Sequence, residues 1–140
     1  MICDDITTAV ADLLGGIKKA DGYLTDAGNF VRDQPAVYPD EKDLPWVGVD
    51  YENIELPQDC DGGVTGMTLI VEVLTRPGVK LSDIVKDVMK VLKENRDLGG
   101  LAAEFFPQSA RKLTEQGQYR IGYCALKFTV NYITTDEWEF

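Results

Sequence analysis

Apolar residues recur every three or four positions in two stretches of the chain and every second position in two or three others. The first helical stretch runs from about Asp5 to Ala20, with Ile6, Val10, Leu13, Leu14 and Ile17 on one stripe of a 3.6-residue period. Asp4 or Asp5 suits its N-cap, Lys18 and Lys19 suit the negative end of its dipole, and Gly22 is a natural stop. Gly15 and Gly16 inside this span weaken a helix, so a weak or shortened helix is favoured over close backbone packing there. The second helical pattern is regular: Leu81, Ile84, Val85, Val88, Met89 and Leu92 form one face. Ser82 or a residue just before it caps the start, and Gly99-Gly100 stops the helix. Lys86, Lys90, Lys93 and Arg96 lie off the stripe, with Lys90 and Glu94 spaced as an i,i+4 pair.

Alternation marks the strands. Val47, Val49 and Tyr51 share a phase that shifts to Ile54 and Leu56, which predicts a bulge near Asn53. Over Val64–Thr75, Met67, Leu69, Val71 and Val73 define one face. The turn-rich Pro57–Gly63 connection reads as a hairpin between these two strands. Leu101–Phe106 leads into a polar stretch, Pro107–Gln118, that is partly extended. Tyr119–Thr134 is long enough for a major strand. Its apolar phase slips around Cys124-Ala125, which predicts either a bulge or burial on both faces. The order implies one α+β domain over residues 1–140: an antiparallel sheet of about four strands with two helices packed on one face.

Two segments stand outside this pattern. Residues 32–45 carry three prolines and six charged side chains and read as a long exposed loop, a length at which loops are often functional. Residues 135–140, acidic with Trp138 and Phe140, read as a flexible C-terminal tail or as a segment that docks on a partner.

Composition narrows the chemistry. Among 140 residues there are 24 acidic and 14 basic side chains and no histidine, for a formal charge of −10. A chain this long buries roughly two thirds of its unfolded surface and needs neither metal nor disulfide to fold. The three cysteines are far apart and read as thiols, and no zinc or disulfide spacing is present. The start has neither a basic nor an apolar region of a signal peptide, and no apolar run reaches membrane-spanning length. Without histidine, Ser–His and Cys–His catalytic pairs are excluded within the chain. Asp59, Asp61 and Gly62 lack the rest of a calcium loop, and Gly62–Gly66 lacks the Lys-Ser/Thr of a P-loop. The expectation is therefore no enzyme activity, no cofactor and no metal.

The charge is uneven. Residues 1–44 hold nine acidic and four basic groups, and residues 45–76 hold six and one. Residues 77–118 hold six and seven. An acidic surface of one copy meeting the second-helix lysines of the next gives a head-to-tail contact, which closes into a ring when the rotation permits.

Several short patches carry a resemblance. They are Gly22-Tyr23-Leu24-Thr25-Asp26-Ala27-Gly28, then Leu44-Pro45-Trp46-Val47-Gly48-Val49, the Thr68–Leu74 strand, the helix from Asp83, Leu98-Gly99-Gly100-Leu101-Ala102, and Phe128-Thr129-Val130-Asn131-Tyr132-Ile133-Thr134. Together they resemble the tail terminator proteins, also called minor tail or tail completion proteins, of long-tailed bacteriophages. The resemblance implies a small α+β virion protein without catalytic role. It assembles as a hexameric ring at the head-proximal end of the tail, after residence in the host cytoplasm. The ring halts polymerisation of the tail tube protein and presents the surface that joins the head–tail connector protein. DNA passes through without specific binding, for which a neutral or acidic wall is suited.

On this reading the candidate interface residues are Arg32, Tyr38, Lys42, Lys86, Lys90, Lys93, Arg111 and Lys112. The candidate lumen residues are Asp40, Glu41, Asp43, Asp50, Glu52 and Glu55. Three rival expectations stand beside it: another head–tail joining or neck protein, a small cytosolic enzyme or ligand-binding domain using carboxylates, and a monomeric acidic adaptor that binds a basic partner.

Overall fold

Along Thr65–Thr75 every odd-numbered residue is buried and every even-numbered one is partly exposed. Along Cys124–Thr134 every even-numbered residue is buried and the odd ones are not. The two segments pair antiparallel, with Val71 opposite Leu126 and Leu69 opposite Phe128, so their buried side chains share one face. This is the centre of a computed structural model that describes residues 1–56, 63–76, 78–116 and 120–134.

The elements in chain order are α1 (Ile2–Leu14), β1 (Val31–Asp33), β2 (Trp46–Glu55), β3 (Gly63–Thr75), α2 (Leu81–Glu94), β4 (Glu104–Gln116) and β5 (Arg120–Thr134), with short 3₁₀ turns between them. The sheet order is β1-β2-β3-β5-β4. β1 runs parallel to β2, and every other pairing is antiparallel. Cys3, Ile6, Val10 and Leu14 of α1 and Ile84, Val88, Val91 and Leu92 of α2 join the inward residues of the sheet in one core. The fold is α+β, with both helices on one face.

The first helix is shorter than its periodicity predicts. It ends at Gly15, and Ile17 reaches the core from beyond the helix. Asp4 and Asp5 lie within the first turn, after Met1 at the N-cap, and Lys18 and Lys19 fall outside the helix. A close backbone approach does exist here, but the residue that requires it is Gly28. Its amide donates to the Ile17 carbonyl at 3.0 Å. A Cβ at Gly28 would stand 2.4 Å from the carbonyl oxygen of Gly15. Gly22, at φ 93°, closes the 3₁₀ turn that follows the helix.

The sheet has five strands and is mixed, for two reasons. Val31–Asp33, at the head of the expected loop, pairs with Val47–Val49 as a parallel edge strand. Residues 107–116, expected to be only partly extended, continue β4 along β5. The bulge near Asn53 is present: the register shifts between Glu52 and Ile54, and Asn53 adopts φ 49°. No bulge interrupts β5 at Cys124-Ala125, because its register to both neighbours is continuous there. The phase slip arises instead because Ile121 and Tyr123 lie on the outer face and Leu126, Phe128 and Val130 on the inner one. The break on the β4–β5 ladder lies between Pro107 and Ser109, where proline supplies no donor. Residues 57–62 of the expected hairpin turn, and the 135–140 segment, lie outside the described residues.

α2 is rolled from the stripe read in sequence. Asp87 and Val91 are buried, whereas Val85 and Met89 sit half-buried at the margin. Lys80, not Ser82, occupies the N-cap, and the helix ends at Glu94 before Gly99 and Gly100 shape a separate turn. Asp87 explains the roll. Its carboxylate accepts from the Leu24 amide at 3.0 Å, the Thr25 amide at 2.9 Å and the Thr25 hydroxyl at 2.7 Å. A carboxylate 2 % exposed holds its place because these three donors replace water.

Removing that acceptor strands backbone donors. Asp87→Ala is expected to destabilise the fold by about 2–3 kcal/mol and Asp87→Asn by less, since the amide keeps one acceptor oxygen. Urea unfolding checks this through a lower midpoint at unchanged slope.

Candidate functional site

With both helices on one face, the opposite face of the sheet lacks a helical layer among the described residues. Side chains on it come from alternate positions: Trp46, Gly48, Asp50 and Glu52 of β2, then Glu55 after the bulge. Ile70, Glu72 and Leu74 of β3 adjoin them, with Tyr123, Ala125 and Lys127 of β5 beyond. Ser109, Arg111 and Leu113 of β4 complete the far side. The bulge at Asn53 has a direct consequence. It consumes one residue, so Glu52 and Glu55 end on the same outer face despite odd spacing, while Ile54 turns inward opposite Met67.

One end of this face is closed by the segment before β2. The Trp46 indole lies across Gly48, where a Cβ would come within 2.4 Å of the ring. Tyr38 packs on Trp46 with ring centroids 5.8 Å apart. The Tyr38 hydroxyl then donates to Glu72 at 2.9 Å, and the Tyr123 hydroxyl donates to the same carboxylate oxygen at 2.6 Å. Glu72 therefore ties the long segment to the sheet. The hydrogen bond to Glu72 raises the Tyr38 phenol above its usual pKa, with burial adding to it. Burial first, then Glu72, raises that of Tyr123. Further along, Lys127 bonds Glu52 at 2.7 Å, so the outer face alternates acidic and basic groups. Among the described side chains of the strands, five carboxylates (Asp50, Glu52, Glu55, Glu72 and Glu104) stand against Lys127, Arg111 and Arg32 there.

The candidate residues separate into three places. Arg32, Tyr38, Asp40, Lys42 and Asp43 line one open concavity of about 990 Å³ beside Trp46. Interface and lumen candidates are mixed there, so the segment does not present a single sign of charge. Glu41 begins the 3₁₀ turn Glu41–Asp43 in the same segment. Asp50, Glu52 and Glu55 are together on the outer sheet face. Lys86, Lys90 and Lys93 project from α2 on the opposite side of the molecule, beside the half-buried Val85 and Met89. Lys90 sits over the Tyr23 ring, 4.9 Å from its centroid. Arg111 and Lys112 are consecutive on β4 and so face opposite ways, Arg111 outward and Lys112 toward the helical side.

Sequence reasoning missed Glu72, Tyr123 and Lys127. The signal was available: each is a polar group on the outer phase of a strand whose inner phase is apolar along its middle, Met67–Val73 in β3 and Cys124–Val130 in β5. Cys3 and Cys124 are free and buried, and burial pushes the Cys124 thiol up. Burial also raises the Tyr132 phenol to about 12. Among the described residues no group of His, Cys, Asp or Glu is placed to hold a metal, and no helix is long and apolar enough to cross a membrane. The chain matches no protein-family model and no curated protein.

The phenol shifts set a pH dependence. A phenol whose folded pKa exceeds the unfolded value near 10 adds stability that is complete below pH about 10 and is lost as pH rises through the folded value. Absorbance titration at 295 nm should show Tyr38 and Tyr123 ionising later than free tyrosine. Tyr123→Phe should remove one late step and flatten the fall in stability above pH about 10.

Proposed function

We propose that this chain is a tail terminator of a long-tailed bacteriophage: a structural protein whose copies form a ring on the tail tube, stop its polymerisation and offer the surface that meets the head–tail connector. The observation that carries the reading is the outer sheet face, free of any helical layer, on which Asp50, Glu52 and Glu55 are aligned by the Asn53 bulge. A sheet covered by helices on one side only gives a subunit two unlike surfaces, as a ring between a tube and a connector requires. β4 adds an edge thirteen residues long with no strand beyond it among the described residues. Its Pro107 break and charged Arg111 and Lys112 guard it against indiscriminate strand pairing.

Lumen-facing carboxylates suit the passage of DNA. Phosphate contacts bind through released counterions when a wall is basic, and a wall with excess carboxylate forgoes that gain. The outer face meets this condition only modestly, since Lys127 neutralises Glu52. Asp50 and Glu55 are therefore the residues on which the lumen assignment rests most heavily, ahead of Asp40, Glu41 and Asp43 in the mixed segment before β2. In the ring, Arg32, Tyr38 and Lys42 on that segment, Lys86, Lys90 and Lys93 on α2, and Arg111 and Lys112 on β4 are assigned to contacts with neighbours, tube or connector.

Interrupting the gene in a phage that encodes this chain tests the reading by electron microscopy of the lysate. Tails of abnormal, variable length are expected, restored to uniform length by the wild-type protein supplied in trans. Normal tails left unattached to heads would instead assign the chain to head–tail joining. Normal infectious particles would assign it to neither and favour the cytosolic binding domain.

A further inference from the structure

The helical side of the molecule holds a groove whose lysine rim the ring reading assigns to contacts without saying what binds there. Between α2 and the start of β4 lies an open groove of about 830 Å³. Its apolar surface comes from Val85, Met89, Phe105, Pro107 and Phe128. Phe105 and Phe128 are stacked, with centroids 5.3 Å apart, and are themselves buried, which gives the groove a rigid floor. Its rim is basic: Lys86, Lys90, Lys93 and Arg96 stand against a single acid, Glu94. Arg96 is fixed by donating to the Phe105 carbonyl at 3.3 Å. The excess of positive charge is notable on a chain whose formal charge is −10.

An apolar floor with a basic rim suits a segment that interleaves aromatic and acidic residues. This chain carries one: Thr135-Asp136-Glu137-Trp138-Glu139-Phe140 has three acids, no base and two aromatic rings. The Met89–Pro107 end of its own groove is poorly placed to receive Trp138. Six residues of β5 separate Thr134 from Phe128, about 20 Å of strand. Trp138 is four residues beyond Thr134 and spans at most about 14 Å, before any reversal of direction.

We propose that residues 135–140 of one copy dock in the α2–β4 groove of a second copy, Trp138 against Met89 and Pro107 and the acids against the lysine rim. The contact is heterologous: donor and acceptor surfaces differ, so each copy gives its segment to one neighbour and takes that of another. The inference supplies the contact between copies that the ring needs and rests on that reading only for closure into a ring. Peptide binding reports on the groove alone, so the two fail separately.

Two full-length variants test it. W138S/F140S removes the anchors and K86E/K93E reverses the rim, and circular dichroism establishes that both keep the native fold. By light scattering, the wild-type chain should associate as concentration rises, while each variant alone stays monomeric. An equimolar mixture of the two should gain no more than the wild-type segment on the K86E/K93E copy meeting the wild-type groove on the W138S/F140S copy, and so stop at dimers. A fluorophore-labelled peptide of residues 135–140 should bind W138S/F140S, with anisotropy reporting at least about tenfold weaker binding to a W138S/F140S chain that also carries K86E/K93E. Binding should also weaken as salt rises from about 0.05 to 0.5 M. A wild-type chain that stays monomeric, a mixture without dimers, or peptide binding indifferent to the rim reversal would each overturn the proposal.

Discussion

Two helices cover one face of a five-stranded sheet, and most of the molecule's character descends from that limit. The alternation of β3 and β5 supplies a single apolar face, and α1 and α2 pack against it, leaving the α2–β4 groove open. Nothing apolar enough remains on the other phase to bury a second layer, because Glu72, Lys127, Asp50 and Glu52 interrupt it. The outer face is therefore wet, charged and open. Its closure at one end by Trp46 and Tyr38 is achieved through hydrogen bonds to Glu72 rather than by a further layer.

The same limit places the unlike surfaces of the molecule. Carboxylates collect on the outer face and before β2, while lysines collect on the exposed side of α2. The buried Asp87 matters here beyond its contribution to stability. By binding the Leu24 and Thr25 amides, it fixes the roll of α2 and so the direction in which Val85, Met89 and the lysines project. A helix rolled to bury Val85 and Met89 in place of Asp87 would close the apolar wall of the groove. Polar satisfaction in the core thus shapes a surface on the outside.

Much of this was legible in the sequence. The 3.6-residue stripe located α2, alternation located β2, β3 and β5, and the phase change at Asn53 located the bulge that brings Glu52 and Glu55 onto one face. What periodicity could not show was long-range pairing. Val31–Asp33 is three residues long and becomes a strand only because Val47–Val49 lies beside it. Residues 107–116 are polar on both sides because β4 is an edge, so they carry no alternating signal even though they are hydrogen-bonded along their length. Asp87 lies off the apolar stripe of α2 and nothing local signals its burial, because its partners, Leu24 and Thr25, are more than sixty residues away in sequence. The candidate site was legible as residue types and only partly as places. The acids of β2 share a face, the lysines of α2 share another, and the segment before β2 mixes both signs.

The central claim, that the open sheet face of this chain lines the bore of a ring at the end of a tail, is most directly tested by a cryo-electron microscopy map of the head-proximal end of an assembled tail. The account predicts a closed ring of copies of this fold, with Asp50 and Glu55 directed toward the channel and the helical side turned toward neighbouring subunits. A ring of another protein at that position, or copies of this fold with their helices lining the channel and Asp50 and Glu55 on the outer rim, would contradict it.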